Sequence, residues 1–162
     1  MAPSLVVKLH TTAAEQTREL GRRLGRRLAA GDWVVLYGPL GAGKTTFAAG
    51  VAEGLGIREP VTSPTYLLCH EYAGPVTLLH LDAYFELRMD SVLAEGLAER
   101  LQGPVVVLVE WAEKMRAWLP PDRIEVSLAH RAEGRELVLQ ATGPRSRARL
   151  EGLEGVEAFL AP

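Results

Sequence analysis

The sequence contains few of the features that would place a chain outside the cytoplasm. It has a single cysteine, Cys69, so no intramolecular disulfide can form and nothing indicates an oxidising compartment. No apolar run reaches the roughly 18 residues that a membrane-spanning helix requires. Residues 1–10 also lack the charged start and long apolar stretch of an export signal. We therefore expect a cytoplasmic protein with no membrane association.

Composition excludes several further classes of protein. The net charge of −2 at pH 7 gives no bulk electrostatic reason to bind nucleic acid. Apolar residues make up 48% of the chain and charged residues 23%, which is typical of a folded globular protein. A length of 162 residues corresponds to one ordinary domain. We predict a single domain over residues 1–162, with residues 143–162 as a C-terminal appendage that is weakly helical from Ala148 onward.

The first third of the chain alternates strand and helix patterns. Residues 5–9 predict a strand, and the spacing Thr12-x-x-Glu15 is typical of a capping box that opens a helix. Leucines every four residues predict that this helix is amphipathic and ends near Gly31. Residues 33–37 form a continuous apolar run, which indicates a buried parallel strand, and residues 44–55 predict the next helix.

The rest of the chain continues this alternation and then ends in strands. We predict, in order, paired strands at 66–72 and 76–81, a helix at 90–101, a strand at 104–109, a short helix at 113–119, and an antiparallel hairpin of 123–128 with 136–140. Alternating elements favour layers of helix on sheet. The predicted fold class is therefore α/β, with a mixed and mostly parallel sheet, helices on both faces and a C-terminal antiparallel hairpin.

A glycine-rich loop joins the strand at 33–37 to the helix at 44–55. It reads Gly38-Pro39-Leu40-Gly41-Ala42-Gly43-Lys44-Thr45, the pattern of a phosphate-binding loop (P-loop), and it lies between a strand and a helix as that motif requires. Its glycines allow a tight turn whose N–H groups face a phosphate at the helix N-terminus. Lys44 supplies positive charge, Thr45 supplies a hydroxyl ligand for Mg²⁺, and Thr46 has a weaker role. The alternative is a plain turn between strand and helix. We predict a P-loop NTPase that binds a nucleoside triphosphate, ATP, with Mg²⁺.

Two acids, Asp82 and Glu110, each end an apolar run. The carboxyl ends of parallel strands are where such sheets bind ligands, so either acid could hold the metal or orient the attacking water. The sequence does not divide these roles, and a polar strand terminus is the alternative for each. Ser63-Pro64-Thr65-Tyr66 is either a nucleotide-sensing loop or a structural turn. His80 and Trp111, which neighbour the acids, are interpreted as core or rim residues.

Taken together, these motifs resemble the TsaE (YjeE) family of ATPases that serve tRNA threonylcarbamoyladenosine (t6A) biosynthesis. The resemblance runs from about Leu9 to Leu139. It is carried by the P-loop with Thr46-Phe47, Val61-x-Ser63-Pro64-Thr65-Tyr66, His80-x-Asp82-x-Tyr84, and Val109-Glu110-Trp111-x-Glu113. It implies a domain that binds ATP, hydrolyses it slowly, and acts with two partner proteins of the TsaB and TsaD families. Contact with tRNA would be indirect.

The resemblance also implies roles for individual residues. Lys44 would hold phosphates, and Thr45 with Glu110 would hold Mg²⁺. Asp82 would lie beside the metal as a further ligand or help to position water, and Thr65 would act in a mobile loop. The other nucleotide-binding positions implied are Gly41, Ala42, Gly43, Thr46, Thr11 or Thr12 on the adenine side, and Trp111 on the nucleotide or partner surface.

The sequence departs from the family pattern at two positions. Pro39 stands where an acidic residue is frequent, and Phe85 follows Tyr84 where an arginine is usual, with Arg88 as a possible substitute. No arginine lies inside the four motifs, so we predict slow hydrolysis by the isolated chain.

Two other functions compete with the ATPase. One is a small-molecule P-loop kinase, although no arginine-bearing lid is evident. The other is a regulatory GTPase, although the Asn-Lys-x-Asp and Asp-x-x-Gly motifs are absent. Arg145, Arg147 and Arg149 could meet RNA phosphates, but a solvated surface is the favoured interpretation.

Overall fold

A computed structural model describes residues 5–61, 69–83 and 96–161 of the chain. Several sequence predictions lie outside these residues. They are the Ser63-Pro64-Thr65-Tyr66 loop, the Tyr84, Phe85 and Arg88 positions, and most of the helix predicted at 90–101. Within the described part of the chain, no helix is both long enough and apolar enough to cross a membrane.

Seven strands form one sheet in the order β1-β7-β6-β2-β5-β4-β3. The strands are β1 (Leu5–Thr11), β2 (Trp33–Tyr37), β3 (Cys69–Tyr72), β4 (Thr77–Asp82), β5 (Val105–Glu110), β6 (Ile124–Arg131) and β7 (Gly134–Ala141). The predicted C-terminal hairpin is present as β6 and β7, which pair antiparallel, and the predicted pairing of the strands in the middle of the chain is antiparallel between β3 and β4. The strand that leads into the P-loop lies at the centre of the sheet.

The sheet is mixed, as predicted, but only half of its pairings are parallel. β2 pairs parallel with both β5 and β6, and β4 pairs parallel with β5. The other three pairings, β1 with β7, β6 with β7 and β3 with β4, are antiparallel. These pairings make β3 and β7 run against the other five strands. The prediction of a mostly parallel sheet therefore holds for strand direction but is wrong for the pairings.

The described residues form four α-helices, and the bounds of these helices differ from several predictions. They are α1 (Ala14–Gly25), α2 (Lys44–Gly54), α3 (Ala98–Leu101) and α4 (Pro144–Glu151). The predicted short helix at 113–119 is instead two 3-10 turns, Ala112–Lys114 and Arg116–Trp118. The prediction that the tail becomes helical from Ala148 onward is wrong, because Pro144 occupies the first turn of α4, where its missing N–H costs nothing.

The predicted start and end of α1 are both wrong. Its N-cap is Ala13, which has no side-chain cap. Thr12 instead donates to the side-chain oxygen of Gln16 from its backbone nitrogen (2.7 Å) and from its hydroxyl (3.1 Å), so Gln16 takes the role assigned to Glu15. The helix ends at Gly25 rather than near Gly31, since the chain turns there towards β2.

Helices pack on both faces of the sheet, as predicted, because strand side chains alternate between the faces. On one face, Val34, Leu36, Leu78 and Leu108 pack with α1 and α2. On the other, Val35, Leu79, Val107 and Val109 pack with Leu97 and Leu101 around α3 and with Ala112 and Met115 near the 3-10 turns. The helix that follows the P-loop, α2, thus packs on the first of these faces.

Glycines bring α1 and α2 into backbone contact. Gly21 and Gly25 on α1 face Gly50 and Gly54 on α2, and a Cβ built on any of the four would come closer than 3.0 Å to backbone of the opposite helix. Such small-residue pairs allow two helix backbones to approach closely. At the rim of this contact, Arg22 binds Glu53 (2.8 Å) and Glu19, while Arg18 binds Glu53. Three arginines of α1 are therefore paired with carboxylates, since Arg23 also binds Glu19 (3.1 Å).

The C-terminal segment packs against the rest of the chain. Leu150 on α4 is buried, and Leu153, Val156 and Phe159 pack against the same core as α1 and α2. Asp32, 5% exposed, accepts hydrogen bonds from Arg145 Nε (2.6 Å), Arg149 Nε (2.8 Å) and the backbone nitrogen of Ala29 (2.8 Å). Arg147 binds Glu151 (2.7 Å). Arg145 is exposed, as predicted for a solvated arginine surface, and Arg149 is half-buried, but the charges of both also pair with a buried carboxylate, which the sequence did not predict.

Candidate functional site

The loop between β2 and α2 has the backbone that a phosphate cradle requires. Gly38, Gly41 and Gly43 have φ angles of +147°, +77° and +107°, a region that residues with a side chain rarely adopt. A Cβ at Gly38 would also stand 2.5 Å from the carbonyl oxygen of Leu128 on β6. The backbone conformation therefore requires glycine at positions 41 and 43. At position 38, both the backbone conformation and the lack of space beside β6 require it.

The N-terminus of α2 presents free backbone donors next to this loop. The first helical hydrogen bond runs from Phe47 N to Gly43 O (2.9 Å), so the N–H groups of Lys44, Thr45 and Thr46 precede it. The aligned peptide dipoles of a helix also favour an anion at this end. The predicted nucleotide-binding positions from Gly41 to Thr46 thus lie on one continuous turn of backbone.

Lys44 is held inside the loop. Its Nζ donates to Gly38 O (2.6 Å) and lies 3.8 Å from the centre of the Trp111 ring, and the residue is only 6% exposed. Burial lowers the pKa of Lys44, although Glu110, Glu113 and Asp82 oppose that shift. Trp111 has φ +59°, the one left-handed conformation among the described residues other than glycine, and it immediately follows β5. The structure therefore brings Lys44 and Trp111 together, as a cation on an aromatic face.

The two predicted acids lie side by side at the ends of β4 and β5. Asp82 and Glu110 are direct partners in the parallel register and are 7% and 4% exposed. Because side chains alternate along a strand, both share the sheet face of Leu78 and Leu108, which is the face of α2. Leu36 of β2, which leads into the P-loop, pairs with Glu110 on its other side. Both acids lie near enough to Lys44 for their charges to act on it.

His80 lies under the acids. It is fully buried, and its Nε2 is 2.6 Å from Glu110 Oε2. The interpretation of His80 as a core residue is confirmed, but the sequence analysis missed its bond to Glu110. The only available signal was its position two residues before Asp82, which places both side chains on one face of a strand.

A cavity of about 260 Å³ adjoins the P-loop on the side of α1 and the β6–β7 hairpin. It is lined by Thr12, Ala13, Ala14, Thr17, Gly41, Gly43, Thr46, Gly134 and Arg135. Four of the predicted nucleotide-binding residues therefore meet here: Thr12, Gly41, Gly43 and Thr46. Arg135 was not predicted, since only the fold brings β7 to the loop, where Arg135 donates to Gly41 O (3.3 Å).

The described residues contain no group of three or more His, Cys, Asp or Glu side chains arranged to hold a metal ion alone. This arrangement is compatible with Mg²⁺, which keeps several waters and uses one or two carboxylates together with substrate phosphates. Thr65, the remaining predicted catalytic residue, lies outside the described residues.

Known proteins share this sequence and this fold. The family model described as threonylcarbamoyl adenosine biosynthesis protein TsaE matches residues 11–137. A Treponema pallidum protein is 40% identical over 122 residues, which are 75% of this chain and 90% of that protein. A Bacillus subtilis protein is 38% identical over 142 residues, 86% of this chain and 88% of that protein. Both relatives are named tRNA threonylcarbamoyladenosine biosynthesis protein TsaE.

A solved structure extends the similarity to the fold. The crystal structure of Bacillus subtilis YdiB aligns with a TM-score of 0.81 and 34% identity, over 94% of this chain and 97% of that one. The family resemblance stated from the motifs is thereby confirmed, and the match spans both the P-loop and the two acids. The chain belongs to the TsaE family.

Proposed function

We propose that this protein is a P-loop ATPase of t6A biosynthesis that binds ATP with Mg²⁺ and hydrolyses it slowly until partner proteins engage it. The family names place its relatives in that pathway. The observation that carries the ATPase assignment is the meeting of a P-loop lysine with two buried acids, Asp82 and Glu110, at the ends of adjacent parallel strands.

The residues of the loop suit a triphosphate. Backbone N–H groups from Gly41 to Thr46 would hold the β-phosphate, because they precede the first hydrogen bond of α2. Lys44 would exchange its bond to Gly38 O for phosphate oxygens, which are stronger acceptors because they are charged. Trp111 would then have to yield or re-stack, since its ring now covers the amine. Nucleotide binding should therefore change the environment of Trp111.

The acids suit a hard cation. Thr45, on the first turn of α2, would supply a hydroxyl, and Glu110 with Asp82 would supply carboxylate oxygen directly or through water. Bound Mg²⁺ would neutralise negative charge on the phosphate oxygens. We assign to Asp82, the other acid of the pair, the placing of the water that attacks the γ-phosphorus, with Thr65 assisting. Attack transfers the phosphoryl group to water and leaves ADP and inorganic phosphate.

The cavity beside the loop suits the nucleoside. It borders Gly43 and Thr46, and its volume of about 260 Å³ is bounded by Thr12 on one side and Arg135 on the other. We place adenine here, with the guanidinium of Arg135 available to stack on the base as planar guanidinium groups do.

The partners are proteins of the TsaB and TsaD families, and tRNA is reached only through them. The absence of arginine from the four site motifs is the reason for slow turnover by the chain alone, since an arginine supplied by a partner commonly stabilises the transition state of P-loop enzymes. The reaction belongs in the cytoplasm, where ATP and tRNA are available.

Calorimetric titration of ATP into the chain, with Mg²⁺ and with EDTA, tests the nucleotide assignment. Lys44→Ala should weaken Mg·ATP binding by roughly 10- to 100-fold, because it removes charged hydrogen bonds worth about 1.5–3 kcal/mol. Lys8→Ala, at an exposed position on the edge strand β1, is the matched control and should bind like the unmodified chain. GTP should compete poorly. Equal loss in both variants, or none in either, would contradict the assignment.

A further inference from the structure

The hydrogen bond between His80 and Glu110 joins the centre of β4 to the end of β5. In the parallel register His80 lies opposite Leu108, one side-chain pair deeper in the sheet than the Asp82–Glu110 pair. Glu110 therefore reaches diagonally back along the sheet, over a distance that long side chains can span, to place Oε2 at 2.6 Å from His80 Nε2. Both side chains are almost fully removed from water, at 0% and 5% exposure.

The surroundings of the ring decide which nitrogen carries the proton. His80 Nδ1 is buried and has no hydrogen-bond partner among the residues that the structure describes. A proton on Nδ1 would bury a donor without an acceptor, which is unfavourable. A proton on Nε2 meets the carboxylate. His80 is therefore a donor to Glu110, through the tautomer that protonates Nε2 alone.

We propose that His80 is a positioning residue for the divalent cation: it holds the Glu110 carboxylate so that its remaining oxygen faces the metal beside Thr45. This inference rests on the proposed function, since it presumes that Glu110 is a ligand. A free glutamate side chain samples many rotamers, and ordering it costs free energy on every binding event. The hydrogen bond from the fully buried His80 ring holds the Glu110 side chain in one conformation before the metal binds, so this ordering cost does not weaken metal binding.

The expected size follows from similar arrangements in metalloproteins. Groups that hydrogen-bond to a metal ligand typically change metal affinity by about 10- to 100-fold when they are lost. Nucleotide affinity in the absence of metal should change little, because His80 lies beneath the acids and does not line the loop or the adjoining cavity. The inference thus predicts a loss confined to the metal.

The experiment measures Mn²⁺, which shares the octahedral oxygen preference of Mg²⁺, by electron paramagnetic resonance in the presence of a non-hydrolysable ATP analogue. His80→Gln carries an amide donor near the position of Nε2, whereas His80→Asn is one methylene shorter and does not reach Glu110. We expect Mn²⁺ affinity to fall about 10- to 100-fold in His80→Asn and to stay within about threefold in His80→Gln. Affinity for the analogue in EDTA should be unchanged in both.

A double-mutant cycle separates positioning from a general structural effect. In a Glu110→Gln background, His80→Asn should cause no further loss of Mn²⁺ affinity, since the group that it positions is already gone. Additive losses, or equal Mn²⁺ affinity in His80→Asn and the unmodified chain, would overturn the role of His80 while leaving the proposed function standing. Failure of the unmodified chain to bind Mn²⁺ with the analogue would overturn the proposed function and this inference together.

Discussion

Replacing Gly50 with alanine should separate α1 from α2 and thereby displace the P-loop. A Cβ at Gly50 would lie well inside van der Waals contact with the carbonyl oxygen of Arg18, 2.9 Å from its carbonyl carbon and 3.0 Å from the backbone nitrogen of Arg22. Ordinary contacts begin at 3.4 Å, so the carbon alone requires a shift of at least about 0.5 Å. All three atoms are backbone and cannot rotate aside.

Two opposing terms set the magnitude of this effect. Overpacking a tight contact costs about 1–3 kcal/mol, and rigid backbone on both sides favours the upper end. Alanine in a helix interior returns about 1 kcal/mol relative to glycine. The net destabilisation should be about 2 kcal/mol, which lowers Tm by roughly 4–8 °C for a chain of this length. ATP affinity should fall as well, because α2 carries Lys44 and Thr45 on its first turn.

Thermal unfolding and ATP titration of Gly50→Ala measure the two effects together. Gly103→Ala is the matched control, since the nearest atom to its Cβ, the carbonyl oxygen of Arg100, would be 3.3 Å away, almost an ordinary contact. That control should remain within about 0.5 kcal/mol of the unmodified chain. If Gly50→Ala were as stable as the unmodified chain, or more stable, close glycine packing between α1 and α2 would not be holding the P-loop helix in place.

Two further predictions concern a buried carboxylate and a partly buried thiol. Asp32→Asn should lower the free energy of unfolding by about 2 kcal/mol, because an amide replaces the carboxylate that accepts from two guanidinium groups. Glu151→Gln loses only a surface ion pair and should change the free energy of unfolding by less than about 1 kcal/mol in the same measurement. Equal effects would contradict a special role for the Asp32 cluster. Burial raises the pKa of Cys69 to about 11 from 9.0, so the folded chain at pH 8 should have roughly 100-fold less thiolate than the unfolded chain. Alkylation by iodoacetamide should be slower by a similar factor, and equal rates in buffer and in denaturant would refute this.

Local patterns were sufficient to predict the part of the fold on which the site is built. The continuous apolar runs that became β2 and β5 and the glycine spacing of the P-loop are all readable within short windows, because they depend on side-chain period and backbone conformation. The C-terminal hairpin followed from alternating runs around Gly134, and the pairing of β3 with β4 from the turn residues between their runs. The sequence also predicted that Asp82 and Glu110 each end a buried strand, whereas the pairing of β4 with β5 that sets them side by side was not predicted.

Contacts between distant segments could not be predicted in this way. The early end of α1 and the glycine contact of α1 with α2 depend on two helices meeting, and glycines inside a helical pattern give no sign of that partner. The burial of Asp32 depends on Arg145 and Arg149, more than 100 residues later. Arg135 reaches the P-loop, and His80 reaches Glu110, only once the strand order is known.

Single-turnover hydrolysis of ATP labelled at the γ-phosphate tests the central claim most directly. The chain should be measured alone and with purified TsaB-family and TsaD-family proteins, with Lys44→Ala as the inactive control. We predict turnover on the order of 10⁻³ s⁻¹ or slower for the chain alone, as for P-loop enzymes whose active site has no arginine of its own, and a marked acceleration when both partners are present. Fast hydrolysis by the isolated chain, or no acceleration by the partners, would contradict a slow, partner-dependent ATPase.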